Sequence, residues 1–141
     1  MSRATFEELD HTADVGLKIY GATFTELLAN AAEGMFSLIG RATFAAEETV
    51  IRVFDIDGLH PEERLHRWLR ALLAEFNRDG FFPIEITLRA TSAEGLRASA
   101  RGGTFDLGRH ELFSELKGVT HHGLRVSETA AGCEAEVIFD V

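Results

Sequence analysis

Two short segments of the sequence carry the side chains best suited to bind a cation. The first is Asp-His-Thr-Ala-Asp-Val-Gly at residues 10–16, where two carboxylates, an imidazole and a hydroxyl directly precede a predicted strand. The second is the run 137–141, in which Asp140 precedes the last residue. Carboxylate oxygens are the ligands that Ca²⁺, Mg²⁺ and Mn²⁺ prefer in proteins. The residue types therefore indicate an oxygen-ligand cation site, provided that folding brings the two segments together.

An ordinary structural explanation competes for each segment. Asp, Thr and Gly at 10–16 are also the residues of a tight turn, because short polar side chains bond their own backbone. At the other end, alternation along a strand predicted at about 133–140 places Asp140 on the face away from the main apolar side. A carboxylate there can simply keep a sheet edge soluble. If that strand lies within the sheet, Asp140 and the α-carboxylate of Val141 are held side by side. On the residues alone, both explanations stay open.

Other patterns that could indicate catalysis or zinc binding are weak. His121 and His122 are sequence neighbours, so on a strand they point to opposite faces and do not share one ion. The run Arg-His-Glu at 109–111 lacks the spacing of a metal motif, and Cys133 has no base tied to it by a motif. No glycine-rich phosphate loop is present in the sequence. A stand-alone hydrolase using Asp10 and Asp14 would lack a nucleophile–base arrangement.

Two amphipathic helices and a set of strands are predicted to position these residues. Thr23 followed by Glu26 forms a capping box, and apolar residues at spacings of three and four predict a helix over about 23–39. A proline followed by two glutamates begins a second amphipathic helix over about 61–77. Six or seven strands, mostly joined as hairpins, account for the rest. We therefore predict one α+β domain over 1–141, with both helices packed on one face of a mostly antiparallel or mixed sheet.

The composition is that of an ordinary globular protein. The chain has 141 residues, of which 45% are hydrophobic, and this length suits a single core. Against 23 Asp and Glu there are 14 Lys and Arg, and the net charge of −9 disfavours autonomous nucleic-acid binding. No apolar run approaches the roughly 18–20 residues that cross a bilayer, and one cysteine suits a reducing compartment. These features predict a cytoplasmic protein without a membrane partner.

The segment at 10–16 resembles the opening signature of the archease family, an acidic residue followed by His-Thr-Ala-Asp. Further blocks follow in the order that the family has them. They are Tyr-Gly-Ala-Thr-Phe-Thr-Glu-Leu at 20–27, Leu-His-Arg-Trp-Leu at 65–69, Arg-His-Glu at 109–111, Glu-Leu-Lys-Gly-Val-Thr at 115–120, His-Gly-Leu at 122–124 and Val-Ile-Phe-Asp-Val at 137–141. Together these blocks extend the resemblance from about residue 6 to the last residue.

The resemblance implies a non-catalytic activator of an RtcB-type tRNA-splicing RNA ligase. That ligase charges its own active-site histidine with GMP from GTP in the presence of manganese, and archeases promote this guanylylation and multiple turnover. Contact with tRNA would then be indirect, through the ligase. The alternative is a chaperone or specificity modulator of a tRNA-modifying enzyme such as a cytosine methyltransferase.

The resemblance also implies a divalent-metal site. In this sequence the site corresponds to Asp14, Asp140 and Val141, with valine where the family usually has isoleucine. Ca²⁺ in crystals and Mg²⁺ or Mn²⁺ in the cell are the ions expected there. His11 and Lys117 are expected to contact the partner or its nucleotide. No role is implied for His121, which stands where the family often has tyrosine, nor for His122 or Cys133, and no oligomeric state follows from the sequence.

Overall fold

The computed structural model of the chain describes residues 5–10 and 14–141, with Asp10 described by its backbone alone. Its helices are α1 (Phe24–Ile39) and α2 (Pro61–Asp79), and a short 3-10 turn spans Ala46–Glu48. The strands, in chain order, are β1 (Phe6–Asp10), β2 (Asp14–Gly21), β3 (Gly40–Arg41), β4 (Val50–Asp57), β5 (Phe81–Ala90), β6 (Gly95–Thr104), β7 (Glu111–Leu112), β8 (Gly118–Val119), β9 (Arg125–Thr129) and β10 (Gly132–Asp140).

Both predicted helices form, and local capping explains where they begin and end. At the start of α1, the backbone N–H of Glu26 donates to the side-chain oxygen of Thr23 over 3.2 Å, as the capping box predicts. α2 ends two residues beyond the predicted end, at Asp79. There Gly80 adopts a left-handed conformation with φ of 81° and donates its N–H to the carbonyl of Phe76 over 2.8 Å. A glycine in this conformation caps the last turn at little steric cost.

The strands form three antiparallel sheets in the described part of the chain. The first has the order β1-β2-β10-β8, with β9 also paired to β10; the second has the order β4-β6-β5; the third is the short pair β3-β7. The α+β class is thus confirmed, but the expectation of one sheet with six or seven strands is wrong. The described residues form ten strands, of which β3 and β7 are only two residues long. Strands of that length carry no alternation that a sequence could reveal.

The helices pack against both large sheets instead of covering one face of a single sheet. α1 contacts β2 of the first sheet and β5 of the second, while α2 contacts β4, β5 and β8. Between the helices lies Trp68, which is fully buried and donates its indole N–H to the carbonyl of Leu28 over 2.9 Å. Among the described residues, no helix is long and apolar enough to cross a membrane.

Candidate metal centre

Of the two segments singled out in the sequence, Asp14–Gly16 of the first and Ile138–Asp140 of the second lie side by side in the first sheet. β10 runs antiparallel to β2 over its length, from Cys133 opposite Gly21 to Asp140 opposite Asp14. On the inner face, Val137 and Phe139 of β10 are fully buried, which agrees with the predicted alternation. Because side chains alternate along a strand, Asp140 projects from the opposite, outer face. The structure therefore brings together residues from the two ends of the sequence.

Asp14 and Asp140 are direct cross-strand neighbours on that outer face. Residues in such positions have Cβ atoms about 4.5–5.5 Å apart, and two like charges there destabilise the sheet. Asp14 is half-buried and Asp140 is exposed, so both carboxylates reach solvent at this end of the sheet. A divalent cation between them would remove the repulsion, and their oxygens are suitable ligands for one.

Further along the same face, beyond the buried Ile138, charges of opposite sign lie opposite each other. Lys18 of β2 lies opposite Glu7 of β1 on one side and opposite Glu136 of β10 on the other. Glu136 also forms an ion pair with Arg125 of β9 at 2.8 Å between Nη2 and Oε1. Within the described part of the chain, the aspartate pair is thus an exception to the charge pattern of its own face.

Asp140 is fixed on its other side by β8. The N–H of Lys117 donates to the Asp140 carbonyl over 2.8 Å, and the N–H of Thr120 donates to the Ile138 carbonyl over 3.0 Å. The residue opposite Asp140 on β8 is Gly118, where the methyl group of an alanine would lie only 3.5 Å from the Asp140 carboxylate. Backbone bonds therefore hold the position of Asp140, while the absence of a side chain at Gly118 leaves its carboxylate approachable.

The remaining predicted site residues are placed as follows. Val141 continues directly from β10 and is 45% exposed, so its main-chain oxygens lie one residue beyond the aspartate pair. Lys117 has an exposed side chain at the rim of a cavity of about 560 Å³ that Phe76 and Leu116 also line. His11 lies outside the described residues. Among the residues that are described, no group of three His, Cys, Asp or Glu side chains could hold a metal ion. Within that part of the chain, Asp14 and Asp140 are therefore not joined by a third side chain of these types.

The other candidate residues have structural environments. His110 is buried, with Nδ1 accepting from the N–H of Asp106 over 3.0 Å and Nε2 donating to the carbonyl of Thr43 over 3.0 Å. Its neighbour Arg109 forms a bidentate pair with Glu48, which holds the pKa of that carboxyl down at about 2. These contacts tie the loop before β7 to the loop after β3.

The single cysteine of the chain also has a structural role. Cys133 begins the inner face of β10 and is 7% exposed. Burial is the main cause that raises the pKa of its thiol, so the reactive thiolate form is disfavoured. This environment is that of a small buried apolar side chain.

One residue near the candidate centre was not singled out by sequence reasoning. His66 of α2 is 4% exposed, and its Nε2 lies 2.8 Å from the carbonyl of Val119 in β8. The ring of His66 stacks on that of His121, with centroids 3.7 Å apart and planes at 17°. Burial is the largest cause that lowers the pKa of His66. The available signal was the helical spacing, which places residue 66 beside the apolar stripe of α2.

Comparison with known proteins identifies the family. The model of the Archease protein family matches residues 6–141. A protein archease from Methanosarcina barkeri is 32% identical over 145 residues, covering 96% of this chain and 95% of the relative. The protein archease of Methanopyrus kandleri is 29% identical over 139 residues, covering 96% and 99% respectively.

Two solved structures share the fold. The solution structure of Methanobacterium thermoautotrophicum protein 1598 superposes with a TM-score of 0.76 at 27% identity, covering 97% of this chain and 99% of that one. A crystal structure from Thermotoga maritima, described as an archease and possible chaperone, has a TM-score of 0.68 at 18% identity, covering 99% and 100%. At that identity, the second likeness speaks for the fold alone.

Proposed function

This chain belongs to the archease family, and from that premise we propose that it is a non-catalytic, metal-binding accessory protein of an RtcB-type tRNA-splicing RNA ligase in the cytoplasm. Its role is to promote guanylylation of the ligase and to allow multiple turnover. It contacts tRNA only through that partner.

The observation that carries this proposal is the pair Asp14 and Asp140 on neighbouring strands. Two carboxylates in direct cross-strand positions repel each other. Both would be attracted to a hard divalent cation such as Ca²⁺, Mg²⁺ or Mn²⁺, for which their oxygens are suitable ligands. An oxygen of Val141, one residue beyond, supplies a third ligand of the same kind. A bound dication would neutralise this end of the sheet and leave coordination positions open to the partner.

The net charge of the chain supports encounter with a nucleic-acid enzyme. The chain carries a net charge of −9, which favours encounter with the basic surface that an RNA ligase needs for its substrate. Lys117 directly precedes β8, is bonded through its backbone to Asp140, and has an exposed side chain. We assign Lys117, together with His11, to contacts with the partner or its nucleotide.

The decisive experiment measures guanylylation of the ligase by GTP with and without this protein. Asp14→Asn and Asp140→Asn should each reduce the stimulation at least tenfold, because each removes one ligand charge without changing side-chain volume. Glu136→Gln is the matched control, since Glu136 lies on the same face but already has oppositely charged neighbours. If both aspartate variants stimulate fully, the metal site has no part in the function; if the unmodified protein gives no stimulation, the function itself is wrong.

A second candidate function is a chaperone or specificity modulator of a tRNA-modifying enzyme such as a cytosine methyltransferase. It is favoured by exposed apolar side chains on β4, which is an edge strand of the second sheet. Ile51 is 65% exposed and Val53 is 60% exposed. Apolar side chains on a free strand edge suit contact with another polypeptide. Light scattering of the methyltransferase would test this role: suppression of aggregation that is lost in Ile51→Thr/Val53→Thr, and kept in Asp140→Asn, supports it.

A further inference from the structure

The ring of His121 stacks on a buried ring although its own residue is exposed. One face of the ring is covered by the ring of His66, at 3.7 Å between centroids. His66 is itself fixed, because it is 4% exposed and bonded through Nε2 to the carbonyl of Val119. The ring face of His121 that His66 covers is closed to a ligand, so a ligand could stack only on the opposite face. The result is a flat, oriented aromatic surface facing solvent.

A free positive charge lies close to this surface. Arg70 follows His66 by four residues, so it lies on the same side of α2, and its charge contributes to the lowered pKa of His66. The neighbouring Arg67 is occupied by Asp57 and Glu63, at 3.0 and 3.6 Å. Within the described part of the chain, Arg70 is exposed and forms no ion pair. Its guanidinium is thus available to an anion from outside.

We propose that His121 and Arg70 together form a contact for a nucleotide. The base stacks on the open face of His121, and a phosphate pairs with Arg70. Nucleobases stack on histidine and other aromatic rings in many single-strand binding sites, and arginine matches phosphate geometry with two donors. A ring already restrained by stacking on His66 loses less side-chain entropy when a base stacks on it than a free ring would.

The position of this contact suits a nucleotide presented at the aspartate pair. His121 follows Gly118 by three residues, and Gly118 lies opposite Asp140. At about 3.3 Å per residue, that is no more than roughly 10 Å of chain. The net charge of −9 repels nucleic acid over longer distances, so we expect weak binding that becomes effective when the partner holds the nucleotide nearby. The identity of the partner that holds the nucleotide is the one part of this inference that rests on the proposed function.

The test uses the isolated protein and NMR spectra of its histidine rings. GMP, a five-nucleotide single-stranded RNA and inorganic phosphate are titrated separately at constant pH and ionic strength. GMP or the RNA should move the His121 ring protons upfield along a saturable curve, since a stacked base shields them, whereas phosphate alone should not. Because two of the variants lack the His121 ring, binding by all variants is followed from the base protons of the titrated nucleotide. His121→Ala should abolish saturable binding, His121→Phe should retain it, and Arg70→Gln should weaken it at least threefold. His122→Ala is the matched control, because His122 is equally exposed and adjacent.

Comparing the GMP titration with the RNA titration shows whether the ligand is a free nucleotide or a nucleic-acid strand. Tighter binding of the RNA than of GMP indicates a strand, and equal binding indicates a free nucleotide. The proposal is overturned if neither produces a saturable upfield shift, if phosphate reproduces the shift, or if His121→Ala binds as the unmodified protein does. Since no ligase is present, this result is separate from the stimulation assay: either proposal can fail while the other stands.

Discussion

Asp14 and Asp140 face each other across β2 and β10 because apolar pairs elsewhere in the same strands fix the register. On the inner face, Leu17 lies opposite Val137, and both are fully buried. A shift by one residue would turn those side chains to solvent, so the register is strongly specified. Packing on the other side of the sheet therefore places the two carboxylates opposite each other, at an electrostatic cost that a bound cation would offset.

Neutralising one aspartate should stabilise the protein when no metal is present. In EDTA, Asp140→Asn removes the cross-strand repulsion and should raise the free energy of unfolding by about 0.5 kcal/mol. Conversely, Ca²⁺, Mg²⁺ or Mn²⁺ at 100 times its dissociation constant should stabilise the unmodified protein by about 2.7 kcal/mol and the variant far less. Urea denaturation monitored by the fluorescence of Trp68, the one tryptophan of the chain, measures both effects. A variant that is less stable in EDTA would contradict this account.

His66 should make the protein sensitive to mild acid. Its pKa is lowered in the folded state, mainly by burial, from a value near 6.5. The unfolded chain therefore takes up a proton first as the pH falls, and stability is lost from about pH 6.5 downward until the lower folded-state pKa is passed. His66→Gln keeps a donor for the Val119 carbonyl but does not titrate. Denaturation midpoints between pH 7.5 and 5.5 should fall less steeply for this variant than for the unmodified protein; equal slopes would remove His66 as the cause.

The Glu48 carboxyl should stay ionised in unusually strong acid. Its pKa is lowered to about 2, first by its hydrogen bond with Arg109 and then by the backbone N–H of Ala45. Because the folded pKa lies below the ordinary value of 4.5, the pair contributes stability above about pH 4.5 and loses it as the pH falls through 2. Carbon-13 NMR of the side-chain carboxyl follows its titration directly. Arg109→Gln should move the midpoint upward, and an unchanged midpoint would show that the guanidinium is not the cause.

Removing the buried hydroxyl of Thr120, which directly follows β8, should stabilise the protein. The Oγ1 atom of Thr120 is buried and has no hydrogen-bond partner in the described part of the chain. Leaving such an atom unsatisfied costs about 1–3 kcal/mol, and valine has nearly the same shape without it. Thr120→Val should therefore raise the free energy of unfolding by about 1 kcal/mol in urea. A loss of stability would indicate that the hydroxyl is used, for instance through a bound water.

Helices and long strands could be predicted because their signals are local. The capping box at Thr23 and the alternation that turns Asp140 outward both lie within a few residues of the features they explain. The division into three sheets depends on which strands meet after long stretches of chain, and no local pattern encodes that. His66 was missed for the same reason, since its partners Val119 and His121 come from a distant part of the sequence. The resemblance, and not the spacing, supplied the assignment of Asp14 and Asp140 to one site.

The pairing of Leu17 with Val137 also limits when the first sheet can form during protein synthesis. β2 is synthesised early, whereas β10, which pairs with β2 inside the first sheet, is synthesised after all the other described strands. Until then, one backbone edge of β2 has no hydrogen-bonding partner strand, and an unpaired strand edge favours association with other chains. A translation product interrupted before β10 would contain both helices yet no carboxylate pair.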